Sequence, residues 1–321
     1  MVDKVSEKPK IVCLMGPTAS GKTDLAIKLT QDYSFDIISV DSAMVYRGMD
    51  IGTAKPSAEE LKLAPHRLID ICDPVENYSA GQFCLDARRE IKDIIQHNRI
   101  PLLVGGTMLY FHLLQRGETE IPERDLTIRH EIKQTAEKIG WEKLHVRLAE
   151  IDPAAAKQIH FNDTQRISRA LEIYYSTGKT LTEVQAQQNW QALPYEIINI
   201  IIHPPDRTVI HERIARRFDV MLEKGLISEV EKLFNRGDLN YNSTSIRTVG
   251  YRQVWSYLAG EYPLDIMRER AIIATRQFAK RQMTWLRQWE TAARFNSNDA
   301  DFYGNIKDFL RRFALHEGRK G

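Results

Sequence analysis

The run Gly16-Pro17-Thr18-Ala19-Ser20-Gly21-Lys22-Thr23 constrains this chain more than any other stretch, because it satisfies every fixed position of the phosphate-cradling pattern G-x-x-x-x-G-K-[ST]. The apolar segment Ile11–Met15 before it reads as a buried strand, and Asp24-Leu25-Ala26-Ile27-Lys28-Leu29 after it opens a helical pattern. That strand–loop–helix setting is what the motif needs. Glycines let backbone N–H groups close around an anion, and the helix N-terminus adds partial positive charge. Lys22 then reaches the outer phosphate oxygens, and the Thr23 hydroxyl is placed for Mg2+. The pattern calls for a polyphosphate ligand; it does not say which one, or what becomes of it.

At 321 residues the chain suffices for one large or two modest domains, and 43% hydrophobic with 27% charged residues is ordinary globular composition. A net charge of +2 does not announce a nucleic-acid binder, so any basic surface must be local. Cys13, Cys72 and Cys84 are unclustered, with no zinc-ligand spacing, and their odd number argues against a disulfide framework. The first ten residues are charged rather than apolar, and no apolar run approaches membrane-spanning length. These features predict no membrane association and a reducing, cytoplasmic setting.

Strand candidates Ile11–Met15, Asp36–Val40, Arg67–Ile71 and Ile100–Val104 alternate with helical stretches, one of which opens at Ser79 with Gln82 completing a capping box. Such alternation predicts an α/β fold: a P-loop NTPase-like parallel sheet flanked by helices. Ligands of these sheets sit beyond the carboxyl ends of the strands. Three segments fall at that edge: the phosphate loop, Asp41–Arg47 and Gly105-Gly106-Thr107. Beyond Gly117 the strand signal vanishes. Asp125–Lys138 and Trp141–Glu150 read as helices, Asp163 caps another that ends at Gly178, and Thr180 with Glu183 forms a second capping box. Ile197–Ile202 then returns as a strand. The expected organisation is a catalytic core of residues 8–116 and 197–315, with an all-helical insertion at 117–196. In the second core segment Ile210, Ile214, Phe218 and Met221 stripe a helix that Gly225 ends, and a long helix spans Asp265–Trp289.

Asp41, at the end of a buried strand, suits a metal ligand or a general base, and equally a turn-capping Asp. Thr107 brings a hydroxyl to the same edge. Arg213 and Arg217 lie four apart on one helix, near Arg216, and can point together at an anion or simply form a solvated face. The segment Lys280 to Trp289 mixes cations with aromatics, as either a core helix with a basic exterior or a nucleic-acid contact surface. Gln165-Arg166-Ile167-Ser168-Arg169 and Arg247-Thr248-Val249-Gly250-Tyr251-Arg252 carry a similar mixture. Three such clusters suit RNA better than a small substrate.

Taken together, the motifs at 16–23, 41–56 (Asp-Ser-Ala-Met-Val-Tyr-Arg-Gly-Met-Asp-Ile-Gly-Thr-Ala-Lys-Pro), 104–107, 165–169, 249–252 and 280–287 (Lys-Arg-Gln-Met-Thr-Trp-Leu-Arg) closely resemble those of the tRNA dimethylallyltransferases, also called tRNA isopentenyltransferases. The resemblance runs from Ile11 to Trp289 in the family's order. It implies transfer of a dimethylallyl group from dimethylallyl diphosphate to N6 of the adenosine immediately 3′ of the anticodon. It further implies that Asp41 is the general base, that Lys22 and Thr23 hold diphosphate and Mg2+, and that Thr107 and Arg217 flank the reacting centre. The tRNA anticodon stem-loop would be lined by Asp41, Ser42, Ala43, Met44, Thr107, Arg129, Gln165–Arg169, Arg247–Arg252, and the run Lys280, Arg281, Gln282, Met283, Thr284, Trp285, Leu286 and Arg287. The insertion would contact that stem-loop, and the protein would act as a monomer. This chain departs from many relatives in having Ala43-Met44 where they have Met-Gln, and Met108 where a Gly often follows Gly-Gly-Thr. It carries no zinc-finger spacing, which resembles the bacterial type. The competing readings are a small-molecule or nucleotide kinase, with Asp41 serving a hydroxyl acceptor, and a non-catalytic nucleotide-binding RNA chaperone.

Overall fold

Six segments become strands: β1 (Lys10–Met15), β2 (Phe35–Val40), β3 (His66–Arg67), β4 (Ile100–Gly105), β5 (Glu196–His203) and β6 (Ala293–Asn296). In a computed structural model, which describes residues 8–117, 125–187, 193–204 and 206–315, they form one sheet in the order β3-β2-β4-β1-β5-β6 with every neighbouring pair parallel. Val12, Leu14, Leu102, Ile200 and Ile202 are fully buried, as expected for central parallel strands covered on both faces. Each such side chain contributes about 1.5–3 kcal/mol by leaving water.

The helices in chain order are α1 (Lys22–Asp32), α2 (Ala58–Leu63), α3 (Ala80–Gln96), α4 (Met108–Arg116), α5 (Leu126–Ile139), α6 (Trp141–Ile151), α7 (Pro153–Gln158), α8 (Thr164–Thr177), α9 (Leu181–Gln187), α10 (Arg207–Glu223), α11 (Leu226–Phe234), α12 (Tyr251–Leu258), α13 (Leu264–Leu286) and α14 (Phe302–Arg311). By its internal contacts the chain separates into two units, Met1–Leu114 with Pro194–Gly321, and Gln115–Leu193. The first holds the whole sheet. In the second, the described residues are helical, built around Ile132, Leu144, Leu148, Ile167 and Leu171. Three of its helices, α5, α7 and α8, start at carboxylate caps: Asp125, Asp152 and Asp163 accept from first-turn N–H groups. Gly178 ends α8 at φ 72°, where a side chain would be strained.

Sheet register positions the site. Met15 lies opposite Gly105, and Val40 lies opposite Gly105 on the other side. β2, β4 and β1 therefore end at one level, and the loops beginning at Asp41, Gly106 and Gly16 leave the sheet side by side.

Several sequence expectations change. The strand expected over Arg67–Ile71 keeps only its first residue, because Leu68 (φ 62°) and Asp70 (φ 55°) turn left-handed. Asp70 instead accepts from the Lys55 ammonium at 2.5 Å. Ser79 caps α3 at the Gln82 N–H, but the Gln82 side chain donates to Asp86 and leaves the capping box half made. Gly225 stands before α11 as its N-cap as well as after α10, and α13 stops at Leu286. β6 was not anticipated; four residues with a single strong apolar side chain carry little periodicity. Among the described residues no helix is long and apolar enough to cross a membrane.

Candidate active site

The phosphate loop is curled by positive φ at Ala19 (61°) and Gly21 (83°), the backbone reversal that turns successive N–H groups toward one concavity. Gly21 is also the N-cap of α1, and no side chain caps that helix. Its first-turn N–H groups therefore face the place where an anion would sit. Lys22 stretches across the loop, donating from Nζ to the Pro17 carbonyl at 2.7 Å and to Ser20 Oγ at 3.3 Å. Burial of its ammonium, helped by the nearby Arg217 charge, pushes its pKa down to about 7, while Asp41 acts in the opposite sense.

Asp41 Oδ1 accepts from the N–H groups of Ala43 (2.8 Å) and Met44 (3.3 Å). The turn-capping role is thus present and does not compete with a chemical one, because one oxygen caps and orients the carboxylate while Oδ2 remains for a proton. Thr107 locks this turn to the next loop. Its N–H donates to Val40 O (3.2 Å), and its Oγ1 accepts from Ser42 N (3.1 Å). Arg217, on α10, donates to Thr53 O at 3.4 Å. Burial lowers the pKa of its guanidinium, opposed by Asp41 and Asp24.

Lys22, Thr23, Asp41, Thr107 and Arg217 all line one cavity of about 420 Å³. Ser42, Ala43, Met44, Arg247, Thr248, Val249, Gly250, Arg281 and Gln282 border the same cavity, as does Thr18. Ile214, Phe218 and Met221 reach it from the helix face that carries Arg217 and give it an apolar wall. A larger open cleft of about 1090 Å³ is bordered by Ala19, Ser20, Gly21 and again by Lys22, Thr23 and Arg217. Arg213 and Arg216 line that cleft, and Arg213 is tied to Ser297 and Asn298 at 3.1 and 2.6 Å. Gly16 and Pro17 lead from β1 into the loop, and neither borders these two cavities.

Among the described residues no group of three or more His, Cys, Asp or Glu could hold a metal ion. Of the oxygens bordering the cavity, the Thr23 hydroxyl fits Mg2+ all the same. That ion takes one or two protein oxygens and completes its shell with water and substrate phosphate.

Other residues of the expected RNA clusters lie elsewhere. Tyr251 and Leu286 are 0% and 1% exposed and belong to the core; the Tyr251 hydroxyl donates to Glu229. Arg252 stacks over Tyr241 at 4.3 Å, and Trp285 meets His112 edge-on at 5.6 Å. Lys280, Thr284 and Arg287 are exposed, and Met283 is half-buried. In the helical unit, Ile167 and Ser168 are buried, whereas Gln165 and Arg166 are exposed. Arg169 and Arg129 approach the fully buried Glu172 at 3.0 and 3.8 Å.

Two residues shape the site in ways the sequence did not show: Glu229, which was not singled out, and Gln282, which was expected only to line the RNA. Glu229, on α11, accepts from the consecutive N–H groups of Asp50 (3.0 Å), Ile51 (2.8 Å) and Gly52 (3.1 Å), and so holds the turn whose Thr53 carbonyl meets Arg217. Gln282 accepts from Thr18 N and donates to Gly106 O. A lone Glu or Gln on a helix looks alike whether it faces water or a distant loop.

Comparison with known proteins gives a consistent picture. A family model described as IPP transferase matches residues 44–289, and one described as isopentenyl transferase matches residues 9–71. A tRNA dimethylallyltransferase of Coxiella burnetii is 57% identical over 311 residues, covering 97% of this chain and 100% of that protein. Among solved structures, the full-length tRNA isopentenylpyrophosphate transferase of Bacillus halodurans superposes with a TM-score of 0.70 at 38% identity, covering 96% of each chain. A eukaryotic dimethylallyltransferase acting on tRNA gives a TM-score of 0.79 at 26% identity, covering 95% of this chain and 80% of that one.

Proposed function

The chain belongs to the tRNA dimethylallyltransferase family, and we propose that it transfers a dimethylallyl group from dimethylallyl diphosphate to the exocyclic N6 of the adenosine immediately 3′ of the anticodon, position 37. The observation that carries this reading is one cavity lined by phosphate-loop residues, the cations Lys22 and Arg217, a carboxylate and an apolar wall. The loop N–H groups, Lys22 and Arg217 grip the diphosphate. Ile214, Phe218 and Met221 face the five-carbon chain. Asp41 lies where the amine enters.

An adenine N6 amine is a weak nucleophile because its lone pair is shared with the ring. Its attack on C1 of the donor forms the N–C bond as the C–O bond breaks, and the bonding pair leaves with diphosphate. Lys22 and Arg217 stabilise the charge that develops on that leaving group. Asp41 Oδ2 takes the N6 proton, a contribution of about 10²–10⁴-fold for a well-placed base. Mg2+, when bound, neutralises diphosphate charge, and Thr23 would hold it. A stacked base cannot reach such a cavity, so the adenosine must be turned out of its loop. Water must be kept from the allylic centre, and the apolar wall serves that end.

Arg247 to Gly250 and Arg281, at the cavity's border, are the RNA contacts nearest the chemistry; Arg129, Gln165, Arg166 and Arg169 supply more from the helical unit. We read the protein as a cytoplasmic monomer.

The test is Asp41→Asn, which keeps an oxygen to cap Ala43 and Met44 but removes the base. Supplied with labelled dimethylallyl diphosphate, ATP and unmodified tRNA, the wild type should place prenyl label in tRNA. The variant should lose at least about 100-fold in turnover with tRNA affinity within about twofold. Undiminished turnover removes Asp41 from the mechanism, and transfer of the ATP γ-phosphate to a small acceptor would restore the kinase reading.

A further inference from the structure

We propose that Gln282 is a positioning residue for the diphosphate grip, acting through the backbone of two loops rather than by touching RNA. The inference rests on the reaction proposed above. Gln282 lies on α13 and is only 5% exposed. Its Oε1 accepts from Thr18 N–H at 2.9 Å, and its Nε2 donates to Gly106 O at 2.8 Å, across sequence separations of 264 and 176 residues. A primary amide is the one side-chain group that offers an acceptor and a donor from a single planar end. Glu lacks the donor, and Leu lacks both.

The two loops it ties leave adjacent, in-register strands, with Met15 paired to Gly105. Space at the tie is minimal. A Cβ on Gly106 would lie 2.4 Å from Gln282 Nε2, so the residue opposite must be glycine for the amide to approach. The consequence reaches both halves of the chemistry. The phosphate loop carries Lys22 and Thr23. The Gly106 loop carries Thr107, whose hydroxyl holds the Asp41 turn at Ser42 N. Gln282 therefore sets the spacing between the leaving-group grip and the base. Its neighbour Arg281 is exposed at the cavity border, so successive residues of α13 face the RNA side and the loops beneath.

The experiment compares wild type with Gln282→Leu, Gln282→Glu and Arg281→Ala. Inorganic pyrophosphate binding is measured by calorimetry, KM for the prenyl donor and for tRNA by steady-state kinetics, and amide exchange of the phosphate loop by mass spectrometry. Gln282→Leu should raise the pyrophosphate Kd and the donor KM about tenfold, speed exchange at the loop, and leave the tRNA KM within about twofold. Gln282→Glu keeps the acceptor but turns a second oxygen onto Gly106 O; it should match or exceed that loss while preserving side-chain volume, and it decides the matter if the Leu variant fails to fold. Arg281→Ala should show the reverse split. Unchanged pyrophosphate affinity in folded variants, or a raised tRNA KM alone, overturns the proposal. If the wild type transfers no prenyl group, the proposed reaction fails, and pyrophosphate affinity with loop exchange still decides the role of Gln282.

Discussion

Lys22 illustrates how one side chain ties the site to solution conditions. Burial of its ammonium, with the nearby Arg217 charge, pushes its pKa down to about 7; among the described residues its donors rest on Pro17 O and Ser20 Oγ rather than on a carboxylate. A bound diphosphate supplies the missing negative charge and raises that pKa. At pH above about 7 the free protein must then take up a proton to bind, so pyrophosphate affinity should fall by up to about tenfold per pH unit as pH rises past 7, and this group should contribute no dependence below it. Calorimetry in buffers of different ionisation enthalpy at pH 8 should register proton uptake in the wild type and none in Lys22→Arg, whose charge is permanent. Equal proton counts in both would end this account. The same shift acts on folding with the sign of a destabilised cation. The unfolded chain holds the proton more tightly, so the cost of burying the charge is fully present below pH 7 and is relieved as pH rises from about 7 toward 10.5.

At the scale of elements, loops are positioned by single side chains on remote helices. Glu229 takes three consecutive N–H groups of the 50–52 turn and the Tyr251 hydroxyl, and that turn presents the carbonyl on which Arg217 rests. Glu229→Ala strands these donors and should cost about 3 kcal/mol in denaturant unfolding, with a reduced kcat from a displaced Arg217; Glu229→Gln should retain part of the stability. Equal stability of the Ala variant would show that the turn holds itself. On α13, Arg281 and Arg287 are exposed, and replacing both with Ala should weaken tRNA binding and flatten its salt dependence by about one to two ions. An unaltered slope would remove that helix from the RNA surface. Element types were largely legible in the sequence, because caps and periodicity are local: Asp125, Asp163 and Gly178 stand where α5 and α8 begin and end. β6 was not, and β3 only at Arg67, since two- and four-residue strands exist only through the neighbours they pair with.

At the scale of the whole molecule, every group of the proposed diphosphate grip lies in the unit that holds the sheet, while the helical unit has its own core of Ile132, Leu144, Leu148, Ile167 and Leu171. Glu172 is fully buried, bonded to Asp125 N at 2.9 Å and approached by Arg169 and Arg129. Glu172→Ala removes the carboxylate that two guanidiniums and an N–H share and should destabilise the helical unit by about 2 kcal/mol, less than for a fully buried pair because both arginines reach solvent. Prenyl transfer to tRNA should then drop as pyrophosphate affinity stays constant, measured side by side by kinetics and calorimetry. Loss of pyrophosphate binding would contradict the independence of the grip. Some features of this protein were determined by the chain alone: the strand–loop–helix setting of residues 16–23, the strand–helix alternation that demands a parallel sheet, and the helical run beyond Gly117, whose described residues form helices and no strand. They were readable because each is written in residues within a few turns of one another. Tertiary structure alone decided that β2, β4 and β1 end level, so that Asp41, Thr107 and Lys22 share a cavity. It also decided that Gln282 and Glu229 reach across more than 170 residues to fix the loops between them. Bonds of that range leave no period and no spacing in the sequence, because their geometry comes into being only when the sheet closes its register.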